Sequence, residues 1–148
     1  MTDPLDLLSR LVACPSVTPE EAGALDLLEA ELQALGFSTT RLNFESDGSY
    51  PVGNLFATRG TGGRRLLFAG HTDVVPPGDR AHWTSDPFVP RLADGKLYGR
   101  GTADMKSGIA AFVAACAAIP LMRASSNSPS PMTRKPTQST APKSWCAG

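Results

Sequence analysis

Every aspartate and glutamate of this 148-residue chain lies at or before residue 104, and this confines where a folded core can form. Residues 1–120 carry all 14 acids and ten of the 14 bases, a net of −4. Residues 121–148 carry four bases, no acid, six Ser and four Pro, a net of +4. Helical and strand periodicity both stop near Pro120. A segment of the latter composition buries too little apolar surface to offset the entropy of ordering. The sequence therefore predicts a folded unit over 1–120 and a disordered tail over 121–148.

The charges sum to zero, so no field favours nucleic acid or an anionic membrane as a partner. Apolar residues make up 41% of the chain and charged residues 19%, which suits a soluble core. The start of the chain pairs no basic cluster with a long apolar run, so no signal peptide is expected. The segment Ile109 to Leu121 is too short to span a bilayer. Cys14, Cys116 and Cys146 are odd in number and widely spaced, with neither a disulfide nor a metal-ligand pattern. That usage points to a reducing, cytoplasmic setting.

Along the chain, Asp3-Pro4 starts a short helix whose apolar stripe is Leu5, Leu7, Leu8, Leu11 and Val12. Thr18-Pro19-Glu20-Glu21 has the form of a second helix start, with Thr18 as cap and Glu21 closing a capping box. That helix is expected to end near Leu35, before Gly36. Strands are predicted at Ser38 to Phe44, at Asn54 to Thr58 and, buried, at Arg65 to Ala69, with a turn at residues 60–63. A loop rich in Pro, Gly and Asp follows from Pro76 to Pro90. Arg91 to Tyr98 predicts a hairpin turning at Asp94-Gly95. Met105 to Ile119 predicts a buried helix with Cys116 in its core, and Cys14 is likewise expected to pack as a small core residue. Helices interleaved with strands give an α/β layered fold.

Two segments carry chemistry. In Gly70-His71-Thr72-Asp73, an imidazole and a carboxylate two residues apart share one face of an extended chain, just beyond an apolar strand. Ligands of α/β sheets bind beyond the C-terminal ends of strands. In Gly99-Arg100-Gly101-Thr102-Ala103-Asp104, glycines bring the backbone close where a carboxylate precedes a helix. His71 with carboxylates suits Zn²⁺, with Co²⁺ or Mn²⁺ as substitutes. Each residue also has a plainer reading. His71 alone suits a structural or solvated histidine, Asp73 a loop carboxylate, and Asp104 a helix cap. Lys106 and Arg100 read as surface charges or packing stems, Trp83 and Phe88 as pins for the loop, and His82 as solvated or substrate-facing.

The two segments taken together resemble the dinuclear zinc deacylases and exopeptidases, most nearly the succinyl-diaminopimelate desuccinylases. The likeness rests on Gly70 to Asp79, Trp83, Pro87-Phe88 and Gly95 to Lys106, with Leu11 to Pro19 fitting the family's first helix and loop. It covers roughly residues 3–119, a third of a family member. The resemblance implies the N-terminal part of a three-layer α/β/α zinc-hydrolase catalytic domain, left incomplete. It implies that His71 binds one zinc, that Asp104 bridges two, and that Asp73 orients His71 as a catalytic residue. The implied reaction is hydrolysis of N-succinyl-LL-2,6-diaminopimelate to succinate and LL-2,6-diaminopimelate, in lysine and cell-wall precursor synthesis. Family enzymes are cytoplasmic homodimers, formed through an inserted lid-like domain; no dimer is expected of this chain. No substrate-binding residue is assigned.

One departure stands out. The family places an adjacent Glu-Glu pair soon after the helix that Asp104 opens, and a carboxylate and a histidine later still. This chain has no Asp or Glu after Asp104 and no His after His82. The tail has a second reading in another codon register. The last base of each codon joined to the first two of the next forces aspartate across Met132-Thr133 and valine across Trp145-Cys146. The same register permits Glu-Glu across Thr133 to Lys135. A frame displaced near Pro120–Arg123 is therefore expected, and with it an inactive chain with exposed edges and apolar surface. Two alternatives stay open: an acetylornithine deacetylase, aminoacylase or carboxypeptidase of the same superfamily, or a non-enzymatic metal-binding or interaction fragment.

Overall fold

The computed structural model describes residues 3–61 and 64–119. The expectations for 121–148, including Cys146, lie outside the described residues, as does part of the turn at 60–63. Helix α1 spans Pro4–Ala13. Asp3 caps it by accepting from the Leu5 N–H at 2.9 Å, and Pro4 occupies the first turn, where a missing N–H costs nothing. Leu7, Leu11 and Val12 are buried, whereas Leu5, expected in the stripe, is 40% exposed.

Helix α2 spans Ala24–Ala34, five residues shorter at its start than the capping box predicts. Gly23, at φ +80°, is its N-cap and offers no side chain. Thr18 is engaged elsewhere, so residues 18–23 form turns instead. The C-terminal end is as expected, with Gly36 in the left-handed region at φ +81°. Strands β1 (Ser38–Phe44) and β2 (Val52–Thr58) pair antiparallel in register Ser38 to Thr58 through Phe44 to Val52. Arg41 on β1 clamps this hairpin to α2, reaching Asp26 at 2.6 Å and Glu29 at 2.8 Å. Arg59, just after β2, donates to the carbonyls of Leu35 and Cys116 and lies over the Phe37 ring. It ties the hairpin to the ends of two helices.

A short 3₁₀ turn, Arg80–His82, is capped by Asp79. Strands β3 (Arg91–Ala93) and β4 (Lys96–Tyr98) form the predicted hairpin. Asp94 and Gly95 both have positive φ, +50° and +71°, as a two-residue turn of matching twist requires. Helix α3 spans Ser107–Ala118, two residues later than predicted. The core lies where the three helices meet: Leu7 and Leu11 of α1, Leu28 and Leu32 of α2, and Ile109, Ala110 and Val113 of α3. Leu55, Ala57 and Phe68 pack against it, and Phe68 stacks on Phe112 with centroids 4.3 Å apart.

The buried strand expected at Arg65 to Ala69 is not present. No ladder forms there among the described residues, and Leu66 and Leu67 are 88% and 79% exposed. An interior strand exists only where neighbours on both sides satisfy its N–H and C=O groups, and here no described strand pairs with it. The outer face of the β1–β2 hairpin is also bare, with Leu42, Phe44, Val52 and Phe56 exposed.

Candidate functional site

The site forms where the segment after Phe68 meets the turn before α3. Residues 72–74 are held by the loop that follows α1. Val74 N–H donates to Ser16 O at 2.8 Å, Thr18 N–H donates to Val74 O at 3.2 Å, and Ser16 Oγ donates to Thr72 O at 2.7 Å. These bonds make a short parallel bridge between Val17 and Val74.

The second segment is built on close backbone approach. Gly101 sits at φ +82°, and a Cβ there would lie 2.6 Å from the Val74 side chain. At Gly99 a Cβ would collide with the side chain of Val12. The chain then makes one irregular turn over Thr102–Lys106, in which Asp104 and Met105 leave helical geometry. Asp104 therefore does not cap α3, whose N-cap residue is Lys106 with no capping side-chain bond. Arg100 joins the two segments, donating from Nε to Val75 O at 2.8 Å and from its backbone to Pro87 O at 2.6 Å.

His71 stands between two carboxylates. Its Nδ1 lies 3.0 Å from Asp73 O and 3.3 Å from Asp73 Oδ1, and its Nε2 lies 3.2 Å from Asp104 Oδ1. All of these partners accept. A neutral ring with its proton on Nδ1 turns a lone pair toward Asp104, so a proton or another cation belongs between Nε2 and Oδ1. The hydrogen bond to the Asp73 backbone, followed by those carboxylates, raises the His71 pKa above its ordinary value, against a modest cost of burial. The side chains are open, at 47% exposure for His71, 53% for Asp73 and 85% for Asp104.

The fit to a zinc centre is partial. His71 Nε2 and Asp104 Oδ1 converge on one point, while Asp73 lies on the far side of the ring. No group of three or more His, Cys, Asp or Glu side chains is placed to hold a metal ion among the described residues. A tetrahedral zinc site takes three or four protein ligands. The residues present suit two ligands and one orienting carboxylate, and the others must come from elsewhere. His82 is exposed and apart from this cluster. Trp83 pins its own loop, donating from Nε1 to Pro77 O at 2.9 Å.

The residue that sequence reasoning missed is Lys106. It is fully buried, and its Nζ donates to Leu11 O at 2.8 Å and Cys14 O at 2.9 Å. A cation there meets the negative end of the α1 dipole, on carbonyls that each also accept one backbone N–H, from Cys14 and Ser16. Burial lowers its pKa from the ordinary lysine value. One signal was available: positions 106, 109, 110 and 113 share a helical face, and the other three are core residues.

The chain is similar to known proteins over much of its length. Residues 67–126 match the family described as Peptidase family M20/M25/M40. The fold matches human carnosine dipeptidase 1 with a TM-score of 0.69 and 29% identity, over 78% of this chain and 27% of that one. The described residues are thus an α/β unit similar to part of the M20/M25/M40 peptidases. The particular likeness is to succinyl-diaminopimelate desuccinylase. The enzyme of that name from Rhodospirillum rubrum is 59% identical over 117 residues, 79% of this chain and 29% of its own length. Those from Rhodospirillum centenum and Rhizorhabdus wittichii are each 56% identical, over 76% and 79% of this chain. The chain spans about three-tenths of the length of the curated relatives it matches. No helix among the described residues is long and apolar enough to cross a membrane.

Proposed function

We propose that residues 3–119 are the first part of a cytoplasmic, metal-dependent amide hydrolase that removes succinate from N-succinyl-LL-2,6-diaminopimelate. The observation that carries this is the approach of His71 Nε2 to Asp104 Oδ1, within a chain 54–59% identical to four desuccinylases. In this reading His71 is a ligand of one zinc, Asp104 bridges two, and Asp73 fixes the ring with Nδ1 protonated. When bound, the metal pair supplies Lewis acidity and an activated water. His71 and Asp104 present the donors, and Asp73 holds the imidazole proton away from the metal side.

The 148-residue chain itself is proposed to be without turnover and not to dimerise. It supplies no carboxylate after Asp104 to serve as general base. The tail over 121–148 is the product of a displaced codon register, and residues 1–120 are the part of the catalytic domain that remains. The test is to restore the alternative register, continue it downstream, and assay the product with zinc. Release of succinate from the succinylated substrate, in preference to acetate from N-acetylornithine, supports the desuccinylase. The reverse preference supports the deacetylase, and no hydrolysis of either contradicts both.

A further inference from the structure

The Thr18 hydroxyl has the sequence form of a helix cap, but α2 begins six residues after it, at Ala24. Its Oγ1 instead donates to Asp73 Oδ2 at 2.7 Å, across 55 positions of sequence. The other carboxylate oxygen, Oδ1, is the one facing His71 Nδ1 at 3.3 Å. One carboxylate therefore joins the loop after α1 to the imidazole, and Thr18 decides which way it faces. The same loop holds the backbone on both sides of Asp73, through Ser16 and the Thr18 N–H. Lys106 fixes the start of that loop by holding Cys14 O.

We propose that Thr18 is a positioning residue of the site: it orients the Asp73 carboxylate so that the His71 ring keeps its proton on Nδ1 and turns Nε2 toward Asp104. Thr18 Oγ1–H donates to Asp73 Oδ2, and His71 Nδ1–H faces the other oxygen, Asp73 Oδ1, as acceptor. Asp73 is more than half exposed, so without the hydroxyl it rotates into solvent and Nδ1–H keeps only the Asp73 backbone oxygen. The importance of this for metal binding rests on the function proposed above, but the relay itself does not.

The test compares wild type, Thr18→Val and Thr18→Ser in the 148-residue chain, without metal, at a single alkaline pH. Long-range ¹H–¹⁵N spectra report the His71 tautomer, and thermal unfolding monitors the fold. The expected result is a larger Nδ1–H fraction in wild type and in Thr18→Ser than in Thr18→Val. In Thr18→Val the ring shifts toward the Nε2–H form with little change in Tm. Wild-type ring shifts in a folded Thr18→Val chain overturn the proposal. Should Thr18→Val unfold, Thr18→Ala is read in its place by the same criterion. A register-restored enzyme that releases no succinate sinks the functional reading and leaves this outcome standing.

Discussion

Nε2 of His71 lies 3.2 Å from Oδ1 of Asp104, although 33 positions of sequence separate them. Neither residue is on a regular element. One follows an unpaired segment and the other sits in an irregular turn, so the approach depends on the bonds that hold those two segments. Those bonds come from Arg100, Ser16, Thr18 and Lys106.

The first consequence concerns Asp73. A carboxylate that orients a ligating histidine typically contributes 10–100-fold in metal affinity. Asp73→Asn is therefore expected to weaken binding of Zn²⁺ or Co²⁺ by about 10–100-fold while leaving the ligands in place. Competition with a chromophoric chelator measures this, and an unchanged affinity would remove Asp73 from the site.

Lys106 has a structural consequence. Replacing it with Met keeps the volume of the stem but removes the charged donor from Leu11 O and Cys14 O, which keep the N–H groups of Cys14 and Ser16. A hydrogen bond from a charged donor contributes on the order of 1.5–3 kcal/mol. Lys106→Met is expected to destabilise the chain by about 2 kcal/mol in urea unfolding. A neutral effect would show that water replaces the ammonium.

The clamp of Arg41 on Glu29 sets a dependence on pH. Arg41, then Thr39, hold the Glu29 carboxylate below its ordinary value of 4.5. A group whose pKa is depressed on folding contributes stability above its unfolded pKa and loses it as pH falls through the folded one. Stability is thus expected to decline as the solution is acidified below about 4.5, the unfolded value. In Arg41→Gln that part of the slope flattens. Equal slopes in both chains, measured by thermal unfolding across the acid range, would count against the clamp.

The coding DNA across residues 115–148 checks the reading of the tail. The shifted register is expected to encode Glu-Glu across Thr133 to Lys135 and to continue open downstream. Its absence, or an early stop, would contradict a displaced frame.

What could be read from the sequence was local. Asp3-Pro4, Gly36 and Asp94-Gly95 each encode their own backbone, and α1, the end of α2 and the β3–β4 hairpin follow as expected. His71, Asp73 and Asp104 could be named because their residue types announce chemistry, though their proximity could not. The failures all involve partners distant in the chain. Thr18 was assigned to the adjacent helix, but its hydroxyl binds Asp73. Lys106 has a charge that suggests solvent, but its bonds to Leu11 O and Cys14 O hold it inside. Arg65 to Ala69 has the composition of an interior strand, but composition supplies no neighbours, and Leu66 and Leu67 stay exposed.

This chain is proposed to hold two ligands of a two-metal site and not the whole of it. Calorimetric titration of the 148-residue chain with Zn²⁺, followed by an assay on N-succinyl-LL-2,6-diaminopimelate, tests it most directly. The expected result is at most one weakly held ion, lost on His71→Ala, and no release of succinate. Two tightly bound ions, or turnover by the chain as it stands, would contradict it.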